Sequence, residues 1–173
     1  MTLINKCLAI ALCLISSAAL GLNSDTNEKL FISAQTSSLN FKTGIHVYRG
    51  NVKATQGSTL LTGETVTTKT NSTSRLVELF VYAKPNVEPT PENLAHYQTI
   101  PKADEEPVDA RAEIIYYYPK LKKVVLLGHA NVIQGLNNYK GEKLTYYIKR
   151  QQVFTEDAEQ HARAHFTIDT STL

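Results

Sequence analysis

The chain has 173 residues, room for one domain with a substantial core or two very small ones. Hydrophobic residues make up 42% and charged residues 20%, which excludes a disordered tail and a polytopic membrane protein. A formal charge of +2 excludes the dense basic surface of a nucleic-acid binder, and nine tyrosines with abundant threonine lean towards β structure.

The chain opens with Met1 to Lys6, an apolar run from Cys7 to Ile15, and small residues up to Gly21. A basic start, a short apolar stretch and small residues before a cut are the parts of a secretion signal. The run is too short for a stop-transfer helix across about 30 Å of hydrocarbon. Residues 1–21 are therefore read as a cleaved signal peptide and residues 22–173 as one exported domain. Cys13 follows the bulky Leu12, which argues against lipoprotein processing. Both cysteines, Cys7 and Cys13, lie in this segment, so residues 22–173 offer neither disulfides nor thiolate metal sites.

An internal repeat follows. Tyr48 to Gly57 (YRGNVKATQG) and Leu126 to Gly135 (LLGHANVIQG) coincide at a fixed offset of 78. The same offset carries Gly63-Glu64 onto Gly141-Glu142, Thr67 onto Thr145, Leu30 onto Val108 and Ala34 onto Ala112. Each copy reads as strands. His46, Tyr48, Val52 and Ala54 share one parity and Arg49, Asn51, Lys53 and Thr55 the other. Val124, Leu126, Ala130 and Val132 repeat the inward set, with His129 and Asn131 opposite. Gly50 and Gly128 fall on the inward parity and predict a bulge or a gap. Val77, Leu79, Val81 and Ala83 alternate likewise, as do Leu144, Tyr146 and Ile148. Gln56-Gly57, Gly63-Glu64, Gln134-Gly135 and Gly141-Glu142 are expected to punctuate the strands. Pro85 to Pro107 holds five of the six prolines and is expected to be an exposed, poorly ordered loop. Each copy of about 70 residues is too small to stand comfortably alone, so the two are expected to stack into one body. Residues 155–165 suit a short helix or a polar edge strand.

Catalysis finds little support. No G-x-S-x-G, H-E-x-x-H, phosphate loop or dinucleotide fingerprint occurs. His161 and His165 have helical ligand spacing, with Glu156, Asp157 and Glu159 nearby, but a solvated charged surface explains them better. Asp104-Glu105-Glu106 reads as a solvated loop, and Asn71-Ser-Thr73 matches a glycosylation triplet that is common by chance. Of Tyr116, Tyr117 and Tyr118, Tyr117 is expected to face inward.

These segments, with Lys140 to Tyr147 (KGEKLTYY), Leu30-Phe-Ile-Ser and Val124 to Val132, resemble the OstA-like repeat of lipopolysaccharide-export proteins. The resemblance runs from about Leu30 to Phe154. It implies an all-β fold, a twisted, open-ended β-jellyroll of antiparallel strands built from two tandem units. It also implies a protein of the Gram-negative periplasm that does no chemistry, needs no cofactor, and shields the acyl chains of lipopolysaccharide between inner and outer membranes. Its implied partners are lipopolysaccharide, an inner-membrane LptC-type component, an outer-membrane LptD-type translocon, and copies of itself joined head to tail. The lipid-lining positions carried over are Leu30, Ile32, Tyr48, Val52, Ala54, Leu61, Tyr117, Leu126, Val132, Leu144 and Tyr146. The joints are expected at the strand around Leu30–Ile32 and at the strands near Leu144–Phe154. Two departures stand out: the Pro85–Pro107 connection is longer than the family's, leaving a lining position near His96-Tyr97 unassigned, and Pro119 stands where an apolar strand residue is usual.

Such a trough makes physical sense, since each exposed CH₂ costs about 0.8 kcal/mol in water. An alternative is a β-rich assembly scaffold that uses only its strand edges and holds no lipid. A secreted glycan-acting jellyroll enzyme would need two facing carboxylates, and the inward parity offers only Glu78, whose facing is ambiguous.

Overall fold

The computed structural model describes residues 25–102, 105–155 and 164–168. Residues 1–21 and the candidate ligands Glu156, Asp157, Glu159 and His161 lie outside them, as does most of the segment read as a helix or edge strand. A 3-10 turn, Asp25–Asn27, precedes twelve antiparallel strands. The first six are β1 (Leu30–Ser33), β2 (Thr36–Asn40), β3 (Ile45–Gln56), β4 (Thr59–Thr70), β5 (Leu76–Tyr82) and β6 (Ala95–Thr99). The second six are β7 (Val108–Ala112), β8 (Ile114–Tyr118), β9 (Lys123–Gln134), β10 (Asn137–Tyr147), β11 (Gln152–Thr155) and β12 (His165–Thr167).

The repeat is exact at the level of hydrogen-bond register. Leu30 lies opposite Gln56, and Val108 opposite Gln134. Thr36 lies opposite Arg49, and Ile114 opposite Leu127. Val52 lies opposite Gly63, and Ala130 opposite Gly141. Only the last two strands of each unit differ in offset, because the β10–β11 turn is tighter than the β4–β5 turn and the β11–β12 connection is shorter than that from β5 to β6. In the latter, Asn71 Oδ1 accepts from Thr73 N, Thr73 Oγ1 and Arg75 N, so the glycosylation-like triplet is a hydrogen-bonded turn.

Two expectations are corrected. Gly63-Glu64 and Gly141-Glu142 do not end strands; they lie inside β4 and β10. They sit opposite bulges at Gly50-Asn51 and Gly128-His129, where the register slips by one residue. Gly50 and Gly128 have φ of +84° and +72°, a region open to glycine at little cost, and the following Asn51 and His129 are also left-handed. The slip moves the inward set of β4 from odd to even positions, from Thr59 and Leu61 to Val66 and Thr68.

The Pro85–Pro107 segment is likewise not merely a loop. It contains β6, whose Ala95, Tyr97 and Thr99 are buried with strict alternation. Its prolines all lie outside that strand, so its backbone donors remain available to the ladder. The strand completes the first unit as β12 completes the second: Leu61 lies opposite Tyr97, and Tyr139 opposite Phe166.

The bulges divide the structure into two facing halves. One half of each long strand pairs with β2, β5, β8 and β11, and the other half with β1, β6, β7 and β12. The fold line through the bulges makes a V, whose open side is rimmed by the turns at 57–58, 119–122 and 148–151 and the segment after β6. The units join by β5 against β8 and by β6 against β7. On the outside of that joint, Phe80 and Tyr116 meet edge to face at 5.1 Å. His96 Nε2 lies 2.6 Å from Asp109 Oδ2, and Arg111 Nη1 donates to the Pro91 carbonyl at 3.0 Å.

Between the halves lies one apolar cluster drawn from both units, including Leu61, Val66, Leu79 and Tyr97 with Ile115, Tyr117, Leu126 and Leu144. Each such side chain contributes about 1.5–3 kcal/mol on burial. A domain without disulfides among its described residues is held by this interior and its ladders.

Candidate functional site

The eleven expected lining positions all fall on the inner surface of the V. Val52, Ala54, Leu61, Tyr117, Leu126, Val132, Leu144 and Tyr146 are at most 2% exposed. Leu30, Ile32 and Tyr48 are partly buried and pack against them. Lys53, of opposite parity, is exposed. Tyr117 faces inward between half-buried Tyr116 and Tyr118, and its ring lies 6.0 Å from that of Tyr97 on the opposite half. The V is thus closed on itself along its length, and its lining doubles as the core.

Sequence reading missed part of this surface. Val66, between two threonines, and Val108, before Asp109, carried a legible signal, whereas Ile115 lies in the run Ile114 to Tyr118, where alternation does not show. Tyr97 was obscured by the prolines around it. Glu78 does not enter the interior: it lies 3.8 Å from Lys69 on a neighbouring strand. Among the described residues no Asp or Glu side chain is buried within the cluster, and no group of three His, Cys, Asp or Glu is placed to hold a metal ion. Glu105, from the acidic triplet, pairs with Lys102 at 2.6 Å.

Three tyrosines give the interior a polar grain. Burial, the first cause in each case, raises the pKa of Tyr97, Tyr117 and Tyr146 well above that of free tyrosine, so all three stay neutral. The hydroxyl of Tyr146 is buried without a hydrogen-bond partner, whereas that of Tyr97 meets the Thr99 side chain. An unpartnered hydroxyl is costly in a dry core and suits a surface that meets another molecule.

The V opens at its rim into a cavity of about 520 Å³, lined by Asp25, Thr59, Thr99 and Tyr117 and by Lys102, Lys122 and Lys149, among others. Ser58 N and Ser58 Oγ donate to the Asp25 carboxylate at 3.0 and 2.8 Å. Thr59 Oγ1 donates at 2.6 Å and Thr99 Oγ1 at 3.4 Å. Thr59 and Thr99 are each 2% exposed and lie 3.0 Å apart. Burial lowers the Lys122 pKa, and the Asp25 charge opposes that shift. No motif marked Asp25, Ser58 or Thr99, because single hydroxyls and carboxylates are unremarkable until the fold gathers them.

The outer ends differ from the middle. Leu39, Phe31, Phe154, Phe166 and Ile168 stand exposed on the first and last strands of the fold. The expected joint at Leu144–Phe154 is corrected in part. β10 is covered by β11 and β12, so Leu144 and Tyr146 are interior and the free edge belongs to β11 and β12.

Comparison with known proteins gives a consistent picture. The family described as LptA/(LptD N-terminal domain) LPS transport protein matches residues 31–152. The lipopolysaccharide export system protein LptH of Pseudomonas aeruginosa is 38% identical over 138 residues, covering 80% of this chain and 74% of its own length. The lipopolysaccharide export system protein LptA of Escherichia coli K12 is 28% identical over 151 residues, covering 87% of this chain and 76% of its own length. A crystal structure of the Pseudomonas aeruginosa LptH, described as the LptA-homologous periplasmic component of the lipopolysaccharide transport device, superposes with a TM-score of 0.73 at 31% identity. It covers 85% of this chain and 99% of that one.

Proposed function

The chain belongs to the LptA/LptD N-terminal-domain family of lipopolysaccharide transport proteins, and we propose that it carries the acyl chains of lipopolysaccharide inside its V across the periplasm of a Gram-negative bacterium. The observation that supports this most is the interior itself. It is predominantly apolar, contributed by both units, and interrupted by few polar groups, among them the buried Tyr146 hydroxyl. Lipid entry parts the two halves and exchanges side-chain contacts for acyl contacts at little net cost, since both are apolar. The protein performs no bond chemistry in this reading; the work of moving lipid is supplied by other components, an LptC-type partner on one side and an LptD-type translocon on the other. Residues 1–21 serve as the export signal. Lipopolysaccharide should co-purify with the protein, and its deacylated form should fail to compete for binding. Equal competition by the deacylated form contradicts the reading.

Head-to-tail self-association follows from the repeat. Within the chain, the last two strands of unit one pair with the first two of unit two. At the ends the corresponding pairs of strands have no outer neighbour among the described residues: β11 and β12 at one end, β2 and β1 at the other. Transferring the internal register, in which Leu79 lies opposite Tyr117 and Tyr97 opposite Ala110, sets Val153 opposite Leu39 and Phe166 opposite Ile32 of the next copy. Strand addition of this kind satisfies edge donors and covers exposed apolar side chains together. Under mild oxidation, protein carrying Leu39→Cys and Val153→Cys should form linked oligomers, whereas Leu39→Cys with Gln151→Cys should not. The opposite pattern would refute this register.

A further inference from the structure

We propose that the hydroxyl cradle at the mouth of the V is a binding site for a phosphate monoester on the acylated ligand's head group, and that the Asp25 carboxylate occupies this site while the V is empty. The inference rests on the lipid-transport reading above and adds a recognition element to it.

The cradle presents four donors to one anion: Ser58 N, Ser58 Oγ, Thr59 Oγ1 and Thr99 Oγ1. The fold does not require them. In the second unit the positions of Ser58, Thr59 and Thr99 are taken by Leu136, Asn137 and Ile168, and that unit folds with the same register. The two nearly fully buried threonine hydroxyls bond each other and also reach the Asp25 carboxylate, so the mouth of the interior already holds an anion.

Charge points the same way. Lys102 lies on one rim and Lys122 and Lys149 on the other, and among the described residues Asp25 and Glu105 provide nearby negative charge. With Asp25 withdrawn, lysines border the vacated cradle on both sides, which suits a phosphate dianion. The location suits an amphiphile, because the cavity sits where the apolar interior meets water. Asp25 sits in a three-residue turn just before β1, so its side chain can leave without unpicking a strand.

The test compares binding of lipopolysaccharide and the same lipopolysaccharide after dephosphorylation to the full chain and two variants. The wild type is expected to bind the phosphorylated form about ten-fold more tightly. Lys122→Gln with Lys149→Gln should remove most of that preference while leaving the dephosphorylated form bound as before. Asp25→Asn should increase the preference, since a neutral amide competes less well for the cradle. Equal binding of the two forms to wild type and variants would overturn the phosphate site and leave the acyl groove intact. Binding of neither form would overturn the transport reading and the site with it. Inorganic phosphate binding as tightly as the phosphorylated lipid would mark a free-phosphate site and overturn the assignment to a head group.

Discussion

Tyr117 and Leu39 occupy the same place in the two units, yet Tyr117 is 2% exposed and Leu39 is 48% exposed. The difference lies in their neighbours. Tyr117 is flanked by β5 across the internal joint, whereas β2, which carries Leu39, has β3 on one side and, among the described residues, no strand on the other. Tyr97 and Phe166 make the same contrast at the other strand pair: the former is buried and the latter half-exposed. The ends of the molecule are cross-sections through a core that the middle completes. Leu39 and Phe166 are interior positions awaiting a neighbour, which is what a modular conduit needs and what a self-contained domain avoids.

The sharpest way to break that comparison is to place a charge at both members of the pair. Tyr117→Asp buries an unpaired carboxylate and should cost about 4 kcal/mol or more, enough to prevent folding, read by denaturant unfolding. Leu39→Asp should cost less than about 1 kcal/mol in the isolated protein yet abolish self-association, read by sedimentation. Similar unfolding costs for both would mean that the ends are not equivalent to the joint. A gentler contrast uses alanine. Leu126→Ala, at a fully buried position, should cost about 3 kcal/mol, and Leu136→Ala at the exposed β9–β10 turn should stay within about 0.5 kcal/mol.

The joint also carries a pH signature. Burial pushes the Asp109 pKa up, but the His96 hydrogen bond and charge, together with Arg111, hold it below the ordinary aspartate value. A depressed folded pKa stabilises the protein above the unfolded value near 4, and that contribution is lost as pH falls through the folded value. Asp109→Asn should therefore cost up to about 1 kcal/mol near neutral pH, with the difference from wild type fading at pH below about 4. The smallest effect is expected at the fold line. Glu113 and His129 lie 2.7 Å apart but are each about half exposed, so Glu113→Gln should shift stability by less than about 0.5 kcal/mol.

The duplication, the strands and the inward parity were legible because period two and a fixed offset survive in the bare sequence. The bulge at Gly50 was legible too, since glycine on an inward strand position has few other uses. Gly63-Glu64 misled for a related reason: in β4 the glycine faces the partner's bulge rather than a turn, and sequence cannot tell these apart. The strand β6 was hidden by surrounding prolines, although its own five residues contain none and alternate cleanly. The lining followed from parity and from family resemblance, whereas the mouth did not. Asp25, Ser58 and Thr99 lie far apart in the chain, and only the pairing of β1 with β3 and of β4 with β6 brings their side chains onto one point. The same holds for the ends, where the exposure of Phe166 depends on having no neighbouring strand beyond β12 among the described residues.

The central claim is that the inner surface of the V is the lipid path. A photocrosslinker placed at Tyr117, with a control at Lys53 on the outer face, tests it most directly in protein exposed to lipopolysaccharide. Crosslinking at position 117 and none at 53 is the expected result. Equal labelling at the two positions, or none at either in a folded protein, would contradict the claim and favour a scaffold that works through its edges alone.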